Sequence, residues 1–524
     1  MRKQHRKINK PESRAKRGIG SFIFSRIFVF FLMVALQVAV FIAITYFAAS
    51  SPVVYAIIAI ITIIVIIYIV NDDSDPNMKI CWVMLMLVVP TFGTLMYLYF
   101  RFQPASNSLR KKLKKINVKS ERYLKQDVRM VSELYLQNKN IASLANFVYE
   151  SNDLPIYRNT DVTYFRSGEE KYKYIIEKLE EAQDFIFIEY FIIGRGKVWD
   201  SILRVLEKKV QQGVEVRVMY DGLCSFSKLD IGYYKKLQKK GIKSKPFAPA
   251  RPFITTNQNN RDHRKILIVD GKVAFTGGIN LADEYMNVVE YYGYWKDTGV
   301  MVEGDAAKSF TLLFLKMWNV SENTIQNFDR YLNVDIPPIY PDSGYVMAYA
   351  DNPFNHYQVG HSVYLDIINN ATRYVHIITP YLVLDNIMLN ALKFAAKRGV
   401  DVKIIMPGIP DKKYAYCLAR TYYKELLRWG VEIYEFAPGF THAKSFVADD
   451  EVATCGTYNL DYRSLYLHFE NGCFMYKCKC IKDMEQDFQE TMEQSSKVTL
   501  MGCKNRPLYY KAIGKVMRLI APML

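Results

Sequence analysis

The segment Arg261-Asp262-His263-Arg264-Lys265-Ile266-Leu267-Ile268-Val269-Asp270-Gly271, continuing to Gly277-Gly278-Ile279-Asn280, carries the first of two matched patterns. The second runs His442-Ala443-Lys444, then Asp449, Gly456 and Asn459. Counted from each His, Lys lies at two, Asp at seven, Gly at fourteen and Asn at seventeen. The chain holds seven His, and two of them head this pattern. Four matched offsets point to an internal duplication. His5 and Lys7 repeat only the first two residues and belong to a basic tail.

Each pattern reads as a hairpin. His263 to Val269 is rich in Ile, Leu and Val, Asp270-Gly271 is a strong two-residue turn, and Lys272 to Thr276 returns. On a strand, residues two apart share a face, so His263 and Lys265 point together, as do His442 and Lys444. An imidazole beside an ammonium is a poor metal site and a good phosphate site. The Lys holds anionic oxygens, and the His attacks phosphorus or moves a proton. No metal and no cofactor are expected. Asn280 and Asn459 follow Gly-rich turns, where amide donors reach phosphate oxygens. Two copies suggest split duties, one His forming a covalent phospho-His and the other serving as acid and base. Asp270 and Asp449 complete the catalytic set His263, Lys265, Asp270, His442, Lys444 and Asp449. Both nevertheless fall where a hairpin turns, a place that favours Asp for its own local hydrogen bonds. Asp297 and Glu470 lie in apolar surroundings, 34 and 28 residues past their His. They are the candidates to orient the imidazoles, since a carboxylate on the other ring nitrogen fixes the tautomer.

The flanking chain repeats as well. In the first half, a helix from Tyr172 leads to a strand at Phe185–Tyr190, a helix from Trp199 to a strand at Val214–Tyr220, and a helix from Tyr233 to the first hairpin. In the second half, a helix from Val363 leads to a strand at Tyr374–Thr379, a helix from Ile387 to a strand at Val400–Met406, and a helix from Ala415 to a strand at Val431–Phe436 and the second hairpin. Alternation of strand and helix predicts an α/β layered fold in each half. Two like halves predict a pseudo-twofold pairing about one pocket, in which two buried Lys are tolerable only with an anion between them.

The surrounding text resembles bacterial cardiolipin synthases of the phospholipase D superfamily. The resemblance rests on both H-x-K-x(4)-D motifs with G-G-x-N or G-T-x-N, on Asn260-Arg261-Asp262-His263-Arg264-Lys265, Asn280-Leu281-Ala282-Asp283-Glu284-Tyr285, Trp295-Lys296-Asp297-Thr298, Thr379-Pro380-Tyr381 and Asn459-Leu460-Asp461-Tyr462-Arg463-Ser464, and on the final Met517 to Leu524. It covers roughly residues 55 to 524. It implies a duplicated phospholipase D-type α/β/α sandwich. It also implies a metal-free transfer in which two phosphatidylglycerols give cardiolipin and glycerol, with His263 as nucleophile and His442 as acid/base. A hydrolase or, less favoured, a nuclease would use the same residues. Thr457, His468 and one extra apolar N-terminal segment depart from the family pattern.

Composition sets the partner. The net charge of +17 calls for an anionic surface. Much of it flanks apolar segments, which favours phosphatidylglycerol and cardiolipin in an acidic membrane over nucleic acid; protein partners are not indicated. Three apolar runs, Phe22–Phe47, Pro52–Val70 and Ile80–Phe100, each approach the roughly 20 residues that cross a bilayer. The expected organisation is a basic cytoplasmic-type tail (1–20), a transmembrane region of two or three helices (21–100), a basic helical connector (101–150), and two phospholipase D-like halves (151–325 and 340–524). The positive-inside rule places both the N-terminal tail and the basic flank after Phe100 in the cytoplasm, which three full crossings would not allow. A multi-pass protein of the bacterial plasma membrane with a cytoplasmic catalytic region is expected. The eight Cys show no C-x-x-C pair and read as reduced thiols. Leu508 to Ile520 is amphipathic, and either lies on the membrane or caps a domain.

Overall fold

The computed structural model describes residues 26–102, 104–225, 228–249, 259–322, 324–338, 344–355, 357–505 and 507–523. The basic tail lies outside them. The chain folds as two compact units, a smaller one from residues up to 73 and from 82–102, and a larger one from most of the remainder.

The smaller unit is helical. α1 spans Arg26–Ala49 and α2 spans Pro52–Val70, an almost pure Ile, Val and Ala helix opened by Pro at its first turn. Most of α2 is uncovered; Ile60, Ile63 and Ile64 are each 59% exposed. Among the described residues it is the one helix long and apolar enough to cross a membrane. The third apolar run does not behave as expected. It breaks into α3, Pro76–Val88, and α4, Pro90–Arg101. Pro90 lacks an amide proton and its ring clashes with the preceding turn, so it opens a new helix. Helices of 13 and 12 residues reach about 20 Å each, short of a bilayer's core of about 30 Å. In the same unit the Thr62 and Thr94 hydroxyls meet at 2.7 Å and join α2 to α4.

The larger unit holds the duplication. Its first seven-stranded sheet is built from β1 (Thr160–Phe165), β2 (Phe185–Tyr190), β3 (Glu215–Asp221), β4 (Lys243–Phe247), β5 (Lys265–Val269), β6 (Val273–Gly277) and β7 (Gly299–Gly304). Its order is β1-β7-β6-β5-β2-β3-β4. The second sheet contains β8 (Tyr345–Asp351), β9 (Tyr374–Ile378), β10 (Asp401–Pro407), β11 (Glu432–Phe436), β12 (Ser445–Ala448), β13 (Val452–Gly456) and β14 (Glu470–Tyr476). Their order, β8-β14-β13-β12-β9-β10-β11, repeats the first sheet strand for strand, with Ile156–Tyr157 and Ser495–Lys497 added at the two edges. The parallel and antiparallel pairings repeat too: β2 runs parallel to β3 and antiparallel to β5, as β9 does to β10 and β12.

Alternation along the strands sorts two layers of core. Ile186 and Ile188 face helices Gly168–Glu181 and Lys197–Gln211. Phe185 and Phe187 face the other way, into a core shared with Val346, Ala348, Val447 and Met475 of the second sheet and with helix Ala307–Val320. The two sheets therefore bury their inner faces together. The expected boundary at residue 151 does not divide the packing. Helix Lys139–Asn152 buries Ile141, Leu144 and Val148 against the second half, and Ile156–Tyr157 pairs with β8. Helices Pro104–Ser120, Val128–Gln137 and Lys139–Asn152 thus belong to the larger unit.

β6 and β7 approach closely at Gly277 and Gly299. Gly277 has φ +128°, and a Cβ there would lie 2.5 Å from the Gly299 Cα. Gly277→Ala is expected to cost about 2–4 kcal/mol, from backbone strain plus this clash. A lowered midpoint of thermal unfolding measures it, and an unchanged midpoint would refute the close approach.

Candidate active site

The site is made where each half reaches into the other. The first motif enters β5 with His263 N–H donating to the Phe469 carbonyl (2.9 Å), and Phe469 N–H donates back to Arg261 (2.9 Å). The second motif follows a short strand, Gly439–Thr441, that pairs in parallel with Tyr294–Lys296 of the first half. His442 N–H donates to the Lys296 carbonyl at 2.6 Å. The residue after Phe469 is Glu470, and the residue after Lys296 is Asp297. Backbone pairing between halves thereby delivers each carboxylate to the opposite imidazole. His263 Nδ1 lies 2.9 Å from both Glu470 oxygens, and His442 Nδ1 lies 2.7 Å from Asp297 Oδ2. The sequence grouped each acid with the His of its own half. The structure exchanges them, because the acid follows the strand that pairs across the divide.

With Nδ1 engaged, Nε2 of each His has no hydrogen-bond partner among the described residues. Both rings are nearly enclosed, 6% and 8% exposed. Phe191 stands edge-on to His263 at 4.6 Å, and Trp295, Tyr285 and Phe440 surround His442. Lys265 and Lys444 are buried, and each ammonium donates to the carbonyl of its own motif His, Lys265 at 2.6 Å. The His rings precede the strands, where the chain is still extended. His and Lys come from corresponding positions in both halves, as the motif implies.

The electrostatics mark one cluster. Burial pushes Lys265 down to about 7, helped by the Lys444 charge. Burial lowers Lys444 to about 8, against the pull of Asp297 and Glu470. His442 falls to about 4 through burial and Lys444, although Asp297 opposes this. Burial, then Lys265, His468, Lys444 and His442, hold His263 well below the ordinary imidazole range. Groups from both halves thus act on each ring. Burial raises the Glu470 carboxyl, whereas His442 and Lys444 overcome burial and hold Asp297 below the usual carboxylate range. Cations stripped of water this way bind an anion strongly.

Asp270 and Asp449 are corrected. They stand at the far ends of the hairpins, away from the imidazoles. Asp270 (φ +51°) precedes Gly271 (φ +67°) in the turn, and Asp449 (φ +57°) precedes Asp450 (φ +60°). Asp270 accepts from the backbone N–H groups of Gln183, Asp184 and Phe185 at 2.8–2.9 Å. Asp449 accepts from Thr372, Arg373 and Tyr374 N–H at 2.7–2.9 Å and from the Thr372 hydroxyl. Each ties its hairpin to the start of the neighbouring central strand. Asn280 Oδ1 accepts from Ile192 N–H, and its Nδ2 is buried without a hydrogen-bond partner among the described residues; Asn459 is buried beside Asp461.

His468 was visible in the sequence as a departure from the family pattern but not as a site residue. Its ring lies 5.7 Å from that of His263, and Nδ1 lies 3.7 Å from Glu470. Both ring nitrogens are buried without a hydrogen-bond partner among the described residues. His263, His468 and Glu470 could offer a metal three ligand atoms within 4.8 Å of one another. The electrostatics fit a cation poorly, because the Lys265 charge acts on both imidazoles.

A duplicated sheet that brings two His-x-Lys pairs to one buried cluster defines the phospholipase D class. The comparisons narrow it. A family model described as "Cardiolipin synthase, PLD-like domain" matches residues 175–318 and 364–492, and one described as "Phospholipase_D-nuclease N-terminal" matches residues 57–101. A cardiolipin synthase of Halalkalibacterium halodurans is 32% identical over 86% of this chain and 90% of its own. One of Geobacillus thermodenitrificans is 33% identical with the same coverages. An uncharacterized protein of Streptococcus mutans is 49% identical over 87% of this chain and 98% of its own. The chain belongs to the cardiolipin synthase family. Among solved structures, a phosphatidylserine synthase of Haemophilus influenzae shares the fold, with a TM-score of 0.54 at 14% identity over 73% of this chain and 100% of its own.

The Asp449 clasp has a testable cost. Backbone N–H donors hold its carboxyl below the ordinary value, so its contribution is complete above about pH 4 and fades as acid protonates it. Asp449→Ala is expected to lose about 1–3 kcal/mol at neutral pH, with a smaller difference from the parent at an acid pH well below about 4. Thermal unfolding at the two pH values measures this, and an equal loss at both would contradict it.

Proposed function

We propose that this chain is a membrane phosphatidyltransferase that makes cardiolipin and glycerol from two phosphatidylglycerols. One observation carries the reading. Two buried lysines and two imidazoles, each imidazole with Nδ1 on a carboxylate of the other half, form one cluster in which both lysine charges act on both rings. Lys265 and Lys444 take the non-bridging oxygens, with the Asn280 amide as a further donor. His263 Nε2 attacks phosphorus, the bond to the glycerol oxygen breaks, and His442 gives that oxygen a proton. The terminal hydroxyl of a second phosphatidylglycerol then enters. His442 takes its proton, the oxygen attacks phosphorus, and the P–N bond breaks to release cardiolipin.

The order of duties has electrostatic support. Burial and the two lysines hold His263 well below the ordinary imidazole range, so it stays a free base fit to attack. His442 sits on Asp297, the acid held in its charged form, and a bound phosphodiester would help it carry a proton. Enclosure by Phe191, Tyr285, Trp295 and Phe440 limits water and favours transfer to an alcohol.

For the membrane region, the reading is that α2 crosses and that α1, whose 24 residues are of spanning length although only Val38–Phe47 stands out as apolar, crosses too, while the run broken at Pro90 does not. Two crossings put the basic tail and the basic segment after Phe100 on the same, cytoplasmic side, which removes the conflict between charge and a count of three spans.

Full-length protein in vesicles with headgroup-labelled phosphatidylglycerol should release labelled glycerol and form cardiolipin; phosphatidic acid as the sole lipid product would mean a hydrolase. Asp297→Asn should lower turnover by about 10³–10⁴ through loss of tautomer control. Label on the phosphatidyl part should be trapped on His442→Asn but not on His263→Asn, and the reverse would exchange the roles.

The lysines make ligand binding pH-dependent. Both are ammonium below about pH 7, and above about pH 8 both lose their charge. Glycerophosphoglycerol, whose own charge is constant over this range, should inhibit best at about pH 6. Its inhibition should weaken by on the order of tenfold per lysine towards about pH 9. A flat inhibition constant would remove the lysines from phosphate binding.

A further inference from the structure

We propose that helix Leu508–Ile520 is a second lipid-contacting element, lying on an anionic bilayer surface through an apolar face that the protein leaves bare. Its sequence, LYYKAIGKVMRLI, carries Lys511, Lys515 and Arg518 and no acid. One side is committed to the fold. Gly514 is buried against the Cys417 carbonyl of helix Lys413–Trp429, so close that a Cβ would lie 2.7 Å from it. Met517 packs against the core beside it, and Arg518 lies over Tyr422. The opposite side is open. Tyr509, Ile513, Val516 and Ile520 fall at i, i+4, i+7 and i+11, with Leu508 and Leu519 beside them. All six are exposed, Leu508 to 82% and Val516 to 63%.

Geometry orders the chemistry around the helix. At about 100° per residue the exposed apolar arc covers roughly 140°, and Lys515 and Lys511 border one edge of it. An apolar face with a basic margin is the pattern of a helix lying in the headgroup layer, with apolar side chains below and ammonium groups among anionic phosphates. Tyr509 and Tyr510, tilted against each other with ring centroids 4.4 Å apart, supply the amphipathic rings favoured at that depth. A second copy is a poorer occupant, because a twofold contact would set the same lysines against each other. The substrate class of the reading above is itself anionic lipid, so the surface and the site call for one membrane chemistry.

The test uses the full chain in phosphatidylglycerol vesicles, with a fluorophore on Val516→Cys, a control on the exposed Lys239→Cys, and the unsubstituted chain for background. Doxyl-labelled lipid should quench the Val516 probe at least twofold and leave the Lys239 probe unchanged. Lys511→Glu with Lys515→Glu should reduce that quenching. It should also slow conversion of vesicle phosphatidylglycerol by about fivefold per charge or more, while activity on a water-soluble short-chain phosphatidylglycerol is kept. A Val516 probe quenched by aqueous iodide and not by lipid overturns the proposal. So does energy transfer between labelled copies without lipid quenching, which would assign the face to self-association. Lipid quenching is read without turnover, so it stands or falls apart from the catalytic reading.

Discussion

Two ammonium groups stripped of water and set near one another are the constraint under which the larger unit is built. Lys265 and Lys444 repel, and both push charge off the neighbouring imidazoles. Glu470 and Asp297 supply the compensating charge from within the fold. Neither carboxylate comes from the half whose His it holds. The backbone arranges this, since His263 N–H bonds Phe469 and His442 N–H bonds Lys296, one residue ahead of each acid. The shared core behind the sheets, and the buried ion pair of Lys296 with Asp487 at 2.7 Å, hold the two approaches in register.

Much of this was legible because periodicity and spacing are local. The first hairpin declared itself by an Asp-Gly turn between apolar runs, and the structure puts Asp270 and Gly271 at positive φ as such a turn requires. The repeated helix–strand alternation became two sheets of identical strand order. The pairing of each acid with a distant His was not legible, because it depends on which strands meet across the divide. Asp270 and Asp449 share the motif's rhythm with the catalytic residues, and rhythm alone does not separate a residue that clasps a backbone from one that meets substrate. The burial of helix Lys139–Asn152 in the second half has the same origin. Its helical character was readable, its partner was not. Pro90, by contrast, was in plain sight, and its effect on the third apolar run follows from backbone chemistry alone.

His468 shows what a single sequence holds back. A histidine beside a motif reads as one more polar residue. Only the fold sets it against Glu470, with both nitrogens unanswered among the described residues, inside a cluster that already contains two imidazoles. Buried polar atoms of this kind are uncommon in a packed interior.

The exchange of carboxylates also bears on inheritance. After a duplication, twin copies are ordinarily free to drift, one keeping the old task while the other tries a new one. Here each twin supplies the carboxylate that meets its sibling's imidazole, so a change to either acid is felt by the ring in the other copy. Neither repeat can wander alone, and selection sees the pair as one indivisible trait.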